Sequence, residues 1–305
     1  MCKRSTGGGR PPHPQPSFYK VAMGKHCDVA NESQRNHFCF ERDEIGYLTH
    51  QCIVERLKVM IWKENTIYNY DRFVTTNVDP MRRVNPEWRA RIAKWSYSVV
   101  DHFHLSRECV AVSMNIFDRY FARKTYDANN VDADAVLLVS CATLSIAVKL
   151  MEVDVLSLET LSRFSRGKYT TNQILDMEWT VVTALDFYLN PPTAISFASH
   201  LLLLLPNEIN ERDRHELYES TRFAVELSVA DSFFVGNKPN PSIIAAAAII
   251  ISLEGSTLSG STLSMMKEIH YLDVILKQIG ITDAEDLRLK ISQQRLNLLL
   301  KSNIT

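Results

Sequence analysis

Residues 88–121 read WRARIAKWSYSVVDHFHLSRECVAVSMNIFDRYF, and the spacing of their apolar side chains decides the fold. Trp88, Ile92, Trp95, Val99 and Phe103 recur at helical spacing, which predicts an amphipathic helix with one apolar stripe. Two prolines in the preceding NVDPMRRVNPEW mark its start. Ser106 stands just ahead of Glu108 and Cys109 as an N-cap, and Val110, Met114, Phe117 and Phe121 form the stripe of a second helix. A short turn between two such helices opens a helical bundle.

Downstream, AVLLVSCATLSIAVKL (135–150) is apolar on every face and rich in small residues. A helix of that kind is surrounded by other helices, which its small side chains let approach closely. Further helices are predicted over 156–164 and 171–185, the latter with Ile174, Met177, Val181 and Leu185 on one face. Pro191 and Pro192 interrupt the pattern and mark a domain boundary. Beyond them, 195–205 and 215–234 read as helices, and PSIIAAAAIIISL (241–253) is a second apolar hub. The tail from Asp283, with Leu287, Ile291, Leu296 and Leu300, reads as a polar-faced closing helix. Two hubs in similar settings point to an internal duplication. Upstream, Ile45, Leu48, Cys52, Leu57 and Ile61 predict a lead helix from about residue 41, whereas 1–40 reads as a flexible tail. No window alternates with period two, so the fold class is all-α. The expected organisation is a tail (1–40), a lead helix with a first domain (41–190) and a second repeat (191–305).

Composition narrows the function. With 305 residues, 46% hydrophobic and 23% charged, the chain can bury ordinary cores without disulfides or metals. A formal net charge of -1 argues against nucleic acid, and the basic group Arg82, Arg83, Arg89, Arg91 and Lys94 is interspersed with acidic residues and has no aromatic ladder. The apolar runs 201–205 and 243–253 fall short of the ~20 residues that span a bilayer, and no apolar run follows the basic start, so no membrane or secretory role is expected. The six cysteines are scattered as in a reduced compartment, which suggests nucleus or cytoplasm. His26/Cys27, His37/Cys39 and His50/Cys52 match no common zinc spacing, so no metal is expected. Phosphate-binding loops, nucleophile elbows, HExxH and kinase signatures are all missing, so neither catalytic residues nor a cofactor is assigned and the chain reads as a non-enzyme.

Five positions carry a family resemblance. Arg89 lies early in the first helix, Asp118 (followed by Arg119) ends the second, Leu138 and Lys149 frame the third, and Glu178 lies within LDMEWTVVTALDFYL. In these places the chain resembles the cyclin box, over about residues 42–253. The resemblance implies two tandem five-helix repeats with an extra N-terminal helix, and a cyclin-dependent protein kinase as partner. It implies that Lys149 and Glu178 reach across to the kinase while Phe187 and Leu189 pack on its mobile regulatory helix. Arg89 and Asp118 would form a buried ion pair. Trp88, Ile92 and Trp95 occupy the places of a docking groove for kinase substrates or inhibitors, with Ser98 where an acidic residue is usual. Lys63, Glu64 and Asn65 spell a KEN degradation motif. The segments VERLKVMIWKEN and PSIIAAAA look most like D-type cyclins, although the Leu-x-Cys-x-Glu motif is absent. The alternative is a transcription-associated cyclin-fold partner or adaptor.

Overall fold

Helix starts are set by local chemistry that the sequence carries. Asn85 accepts the Glu87 N–H at 2.7 Å with Pro86 in the first turn, and Thr170 and Gln173 close a reciprocal capping box. The computed structural model describes residues 50–69, 84–123, 133–153, 156–205, 209–236, 240–255, 262–281 and 286–304. The tail 1–40, the first turns of the lead helix, the His26–Cys39 pairs and the Arg82–Arg83 portion of the basic group lie outside them. Among the described residues there are twelve helices and no strand. They are α1 (His50–Thr66), α2 (Pro86–His102), α3 (Glu108–Arg123), α4 (Ala133–Met151), α5 (Leu158–Phe164), α6 (Thr171–Ala184), α7 (Ala194–Leu204), α8 (Glu211–Ala230), α9 (Phe233–Gly236), α10 (Pro241–Gly255), α11 (Thr262–Gln278) and α12 (Asp286–Ile304).

The fold is all-α, with α2–α6 grouped around one hub and α7, α8, α10, α11 and α12 around another. In α4, Val139, Cys141, Leu144 and Val148 are buried against α3 and α6, and burial raises the Cys141 thiol to about 12. By length and composition Asp134–Met151 is apolar enough to cross a membrane, but most of it is enclosed by its neighbours, as a bundle hub requires. In α10 every residue from Ser242 to Leu253 is buried.

Two elements sit differently from the sequence reading. The lead helix, grouped by chain position with the first domain, buries Ile53, Val54, Leu57 and Met60 with Phe197, Leu201 and Leu272 of the second core. A single apolar stripe says that a helix packs and leaves open what it packs against. Its end is locked there by Glu64, whose carboxylate accepts the Ser242 hydroxyl at 2.5 Å and the Ser242 N–H at 3.1 Å, capping the first turn of α10. The outer face of the closing helix α12 carries Arg288, Lys290, Gln294, Asn297 and Lys301, as a polar face requires, but three apolar side chains stand among them. It buries Ser292 and Leu296, and turns Leu287, Ile291 and Leu298 to solvent.

The two halves are pinned together by polar contacts. Arg89 on α2 grips Asp118 on α3 through two bonds of 2.9 and 2.8 Å, and its remaining arm donates to the Val229 carbonyl on α8 at 2.7 Å. Arg107 bridges Asp101 and Glu226 at 2.6 and 2.9 Å, beneath the Tyr97 ring, whose hydroxyl donates to the Glu226 carbonyl. Glu108, at the start of α3, receives the hydroxyl of Thr193, the N-cap of α7. Burial pushes the Glu108 carboxyl up, and the Thr193 bond opposes that rise. Since Arg89 is 5% exposed, Asp118→Ala removes the carboxylate onto which its buried guanidinium forks. The expected cost is about 3 to 5 kcal/mol in a denaturant melt. An unchanged midpoint would mean that water or relaxation compensates Arg89.

Candidate functional site

The end of α6 is built under strain. Asp186 and Phe187 both adopt left-handed backbone, with φ of 51° and 63°. Glycine normally fills such a helix-ending turn, and each non-glycine residue there costs about 1 to 3 kcal/mol. The turn is held by the Phe187 N–H, which donates to the Val182 carbonyl at 3.1 Å, and by Arg123, which pairs with Asp186 at 2.6 Å. Leu185 and Leu189 anchor it on both sides in the first core, so Phe187 between them is driven outward and stands 63% exposed. Its ring meets Trp179 edge-on, 6.2 Å between centroids, and Trp179 is itself 65% exposed.

Around these aromatics Leu150, at the end of α4, and Leu175, on α6, are also exposed. In the middle of this apolar surface, the Lys149 ammonium lies 2.7 Å from both oxygens of Glu178. Glu178 is nearly buried, while about a third of the Lys149 side chain remains open. A shallow depression lined by Ile146, Lys149, Leu175, Trp179 and Leu189 joins the two helices. Tyr68, just past α1, lies with its hydroxyl in hydrogen-bonding reach of the Asn190 backbone, and burial pushes that hydroxyl up. The end of the lead helix therefore abuts the loop that carries Phe187.

Physically, this is an apolar face with its charge already compensated. The paired ions need not be stripped of water one at a time when a partner covers them, and the ammonium keeps donors for a partner's carbonyl groups.

Lys149, Glu178, Phe187 and Leu189 are thus brought together in one place. Lys149 and Glu178 differ from the expectation in one respect: they bond to each other and are not presented as two separate charges. Leu189 is half-buried and serves chiefly as the anchor of the turn. Trp179, Leu150 and Leu175 were not singled out from sequence, although Leu175, Trp179 and Val182 follow a second helical stripe beside the buried Ile174–Val181 one.

The other candidate residues fall elsewhere. Ile92 is buried in the first core and does not line a groove, because its position on α2 faces inward with Ala93 and Val99. Trp88 and Trp95 are half-buried against that core, and the Ser98 hydroxyl donates back to the Lys94 carbonyl at 3.1 Å. Lys63, Glu64 and Asn65 lie within α1, where Glu64 is committed to Ser242, and Asn65 accepts the Asn240 amide at 2.9 Å. An extended, accessible KEN motif is incompatible with that arrangement: here Glu64 is a cap for α10. Of the His/Cys pairs, His50 and Cys52 lie on α1 and are exposed. Glu152, following the third-helix Lys, accepts the Ser106 N–H at 2.7 Å, ahead of α3.

Residues 57–190 match the sequence profile described as cyclin, N-terminal domain. Among curated proteins, the chain is similar to cyclin-O protein A of Xenopus laevis, 28% identical over 213 residues, covering 65% of this chain and 56% of that one. It is also similar to cyclin-B2-1 of Arabidopsis thaliana, 29% identical over 199 residues, covering 63% of this chain and 43% of that one. The chain spans about half the length of these curated relatives. Among solved structures, a viral cyclin from herpesvirus saimiri is similar in fold, with a TM-score of 0.51 at 16% identity, covering 74% of this chain and 97% of that one.

The bond between Lys149 and Glu178 has a measurable signature. Lys149→Glu sets two carboxylates against each other where one is nearly buried, and is expected to cost about 1 to 3 kcal/mol in chemical denaturation. The exchanged pair, Lys149→Glu with Glu178→Lys, is expected to recover most of that loss. Additive losses in the double variant would show that the two side chains do not interact in solution.

Proposed function

We propose that this chain, whose residues 57–190 match the cyclin N-terminal domain, is the regulatory subunit of a cyclin-dependent serine/threonine protein kinase, which it binds and switches on in the cell cycle. The observation that carries this reading is the outward-facing Phe187 on a strained turn, edge-on to an exposed Trp179 beside the Lys149–Glu178 pair. Strain persists where the surrounding structure over-determines it, and two large exposed aromatics on a rigid support suit a protein partner.

The mechanism is a population shift. A kinase whose regulatory helix is displaced cannot pair its catalytic Lys with its helix Glu, so phosphoryl transfer is not supported. A face that binds only the inward position of that helix selects the active state, by as much as its affinities for the two positions differ. Phe187, Trp179 and Leu150 would cover apolar side chains of that helix, and Lys149 would donate to backbone carbonyls nearby. This chain contributes binding energy and no reacting group, and it would work where such kinases act, in the nucleus or cytoplasm. Trp88 and Trp95 give a secondary contact for kinase substrates or inhibitors, which the uncharged Ser98 leaves without a strong grip on a cationic residue.

The test is a pull-down with a panel of cyclin-dependent kinases, followed by titration of whichever one binds. Trp179→Ala and Phe187→Ala are each expected to weaken binding by about 2 kcal/mol or more, roughly thirtyfold, with the helical spectrum unchanged. Wild-type binding that survives both substitutions would remove this face from the interface.

A further inference from the structure

The described surface carries a second apolar face, on α12 and separate from the Trp179–Phe187 patch. Leu287 and Leu298 are 68% and 60% exposed, and Ile291 is also exposed. With Gln294 they recur at alternating steps of four and three residues, so they form a straight seam. The seam lies on the side of α12 away from the buried Ser292 and Leu296, and the helix therefore has two apolar stripes, one satisfied by α10 and α8 and one open. From Leu287 to Leu298 the open stripe is about 16 Å long, at the helical rise of 1.5 Å per residue.

Charge identifies the occupant. At 100° per residue, Lys290 and Lys301 flank one side of the seam, while Arg288 and Arg295 flank the other. No Asp or Glu follows Asp286 on this helix. Arg295 is held by Asp231 on one side of its guanidinium, whereas Lys290 and Lys301 are exposed. A second copy of α12 laid along the seam would set cations against cations in either direction, which disfavours self-pairing. An aliphatic stripe with acidic residues on both flanks would meet apolar with apolar and each cation with a carboxylate.

We propose that α12 is a docking surface for an acidic amphipathic helix of another protein, three to four turns long, seated on Leu287, Ile291 and Leu298. The seam shares no residue with the Trp179–Phe187 patch.

Two fluorescein-labelled synthetic helices of about four turns test this on the full chain by anisotropy, both with a leucine seam, one flanked by Glu and the other by Lys. The Glu-flanked peptide is expected to bind in the micromolar range, with affinity falling as salt rises. Ile291→Glu with Leu298→Glu should weaken it by about tenfold or more while the melting temperature holds. Lys290→Glu with Lys301→Glu leaves the apolar seam intact and should shift preference toward the Lys-flanked peptide, so the test stands even if the first variant misfolds. Equal binding of both peptides, no binding by the Glu-flanked one, or an unchanged preference in the charge-reversal variant would overturn the proposal. So would a wild-type dimer in sedimentation that Lys290→Glu with Lys301→Glu stabilises, since the seam would then belong to a second copy.

Discussion

Arg89 is the point on which the two helical repeats depend. One guanidinium meets α3 through Asp118 and α8 through the Val229 carbonyl, so its planar fork sets both the crossing of the first two helices and the seat of the second repeat. An isolated cation in that place would cost several kcal/mol to desolvate, and the bidentate geometry is what offsets the cost. Arg107 and Glu108 repeat the device at the α2–α3 turn, each spanning from the first repeat to the second. Within the first repeat, Leu185, Leu189 and the Arg123–Asp186 pair hold the turn after α6, and with it Phe187, in a left-handed conformation.

The exposed face beyond that turn follows a consistent physical logic. In the proposed kinase complex its apolar area supplies affinity, the backbone held at the turn reduces the entropy lost on binding, and the Lys149–Glu178 pair avoids covering a lone charge. A face built in this way can favour one position of a partner's helix over another because it does not adjust to both. That is the property a regulatory subunit requires.

Much of the fold was legible in the sequence. The two hubs announced themselves as apolar on every face, and α4 and α10 are buried as that pattern demands. The Pro191–Pro192 break falls just before Thr193 caps α7. What sequence could not convey was partner choice. Lys149 and Glu178 are 29 positions apart on separate helices, and nothing local indicates that they meet. The apolar stripe of α1 is equally compatible with either core, and only the capping of α10 by Glu64 reveals which one it joins. In α12 and α6, leucines and aromatics occur on two faces at once. Periodicity then identifies a helix without separating the buried stripe from the exposed one. The outward aromatic Trp179 was hidden for that reason, and Phe187 was placed at the site by resemblance without its strained backbone being visible.

The central claim is that this chain switches on a kinase without performing chemistry itself. The most direct measurement is phosphate transfer from labelled ATP to a peptide substrate, with the chain alone, with a candidate cyclin-dependent kinase alone, and with the two mixed over a range of concentrations. The account predicts no transfer by the chain, little by the kinase, and a saturable rise in the mixture. Transfer by the chain alone, or a kinase that binds it and gains no activity, would contradict it.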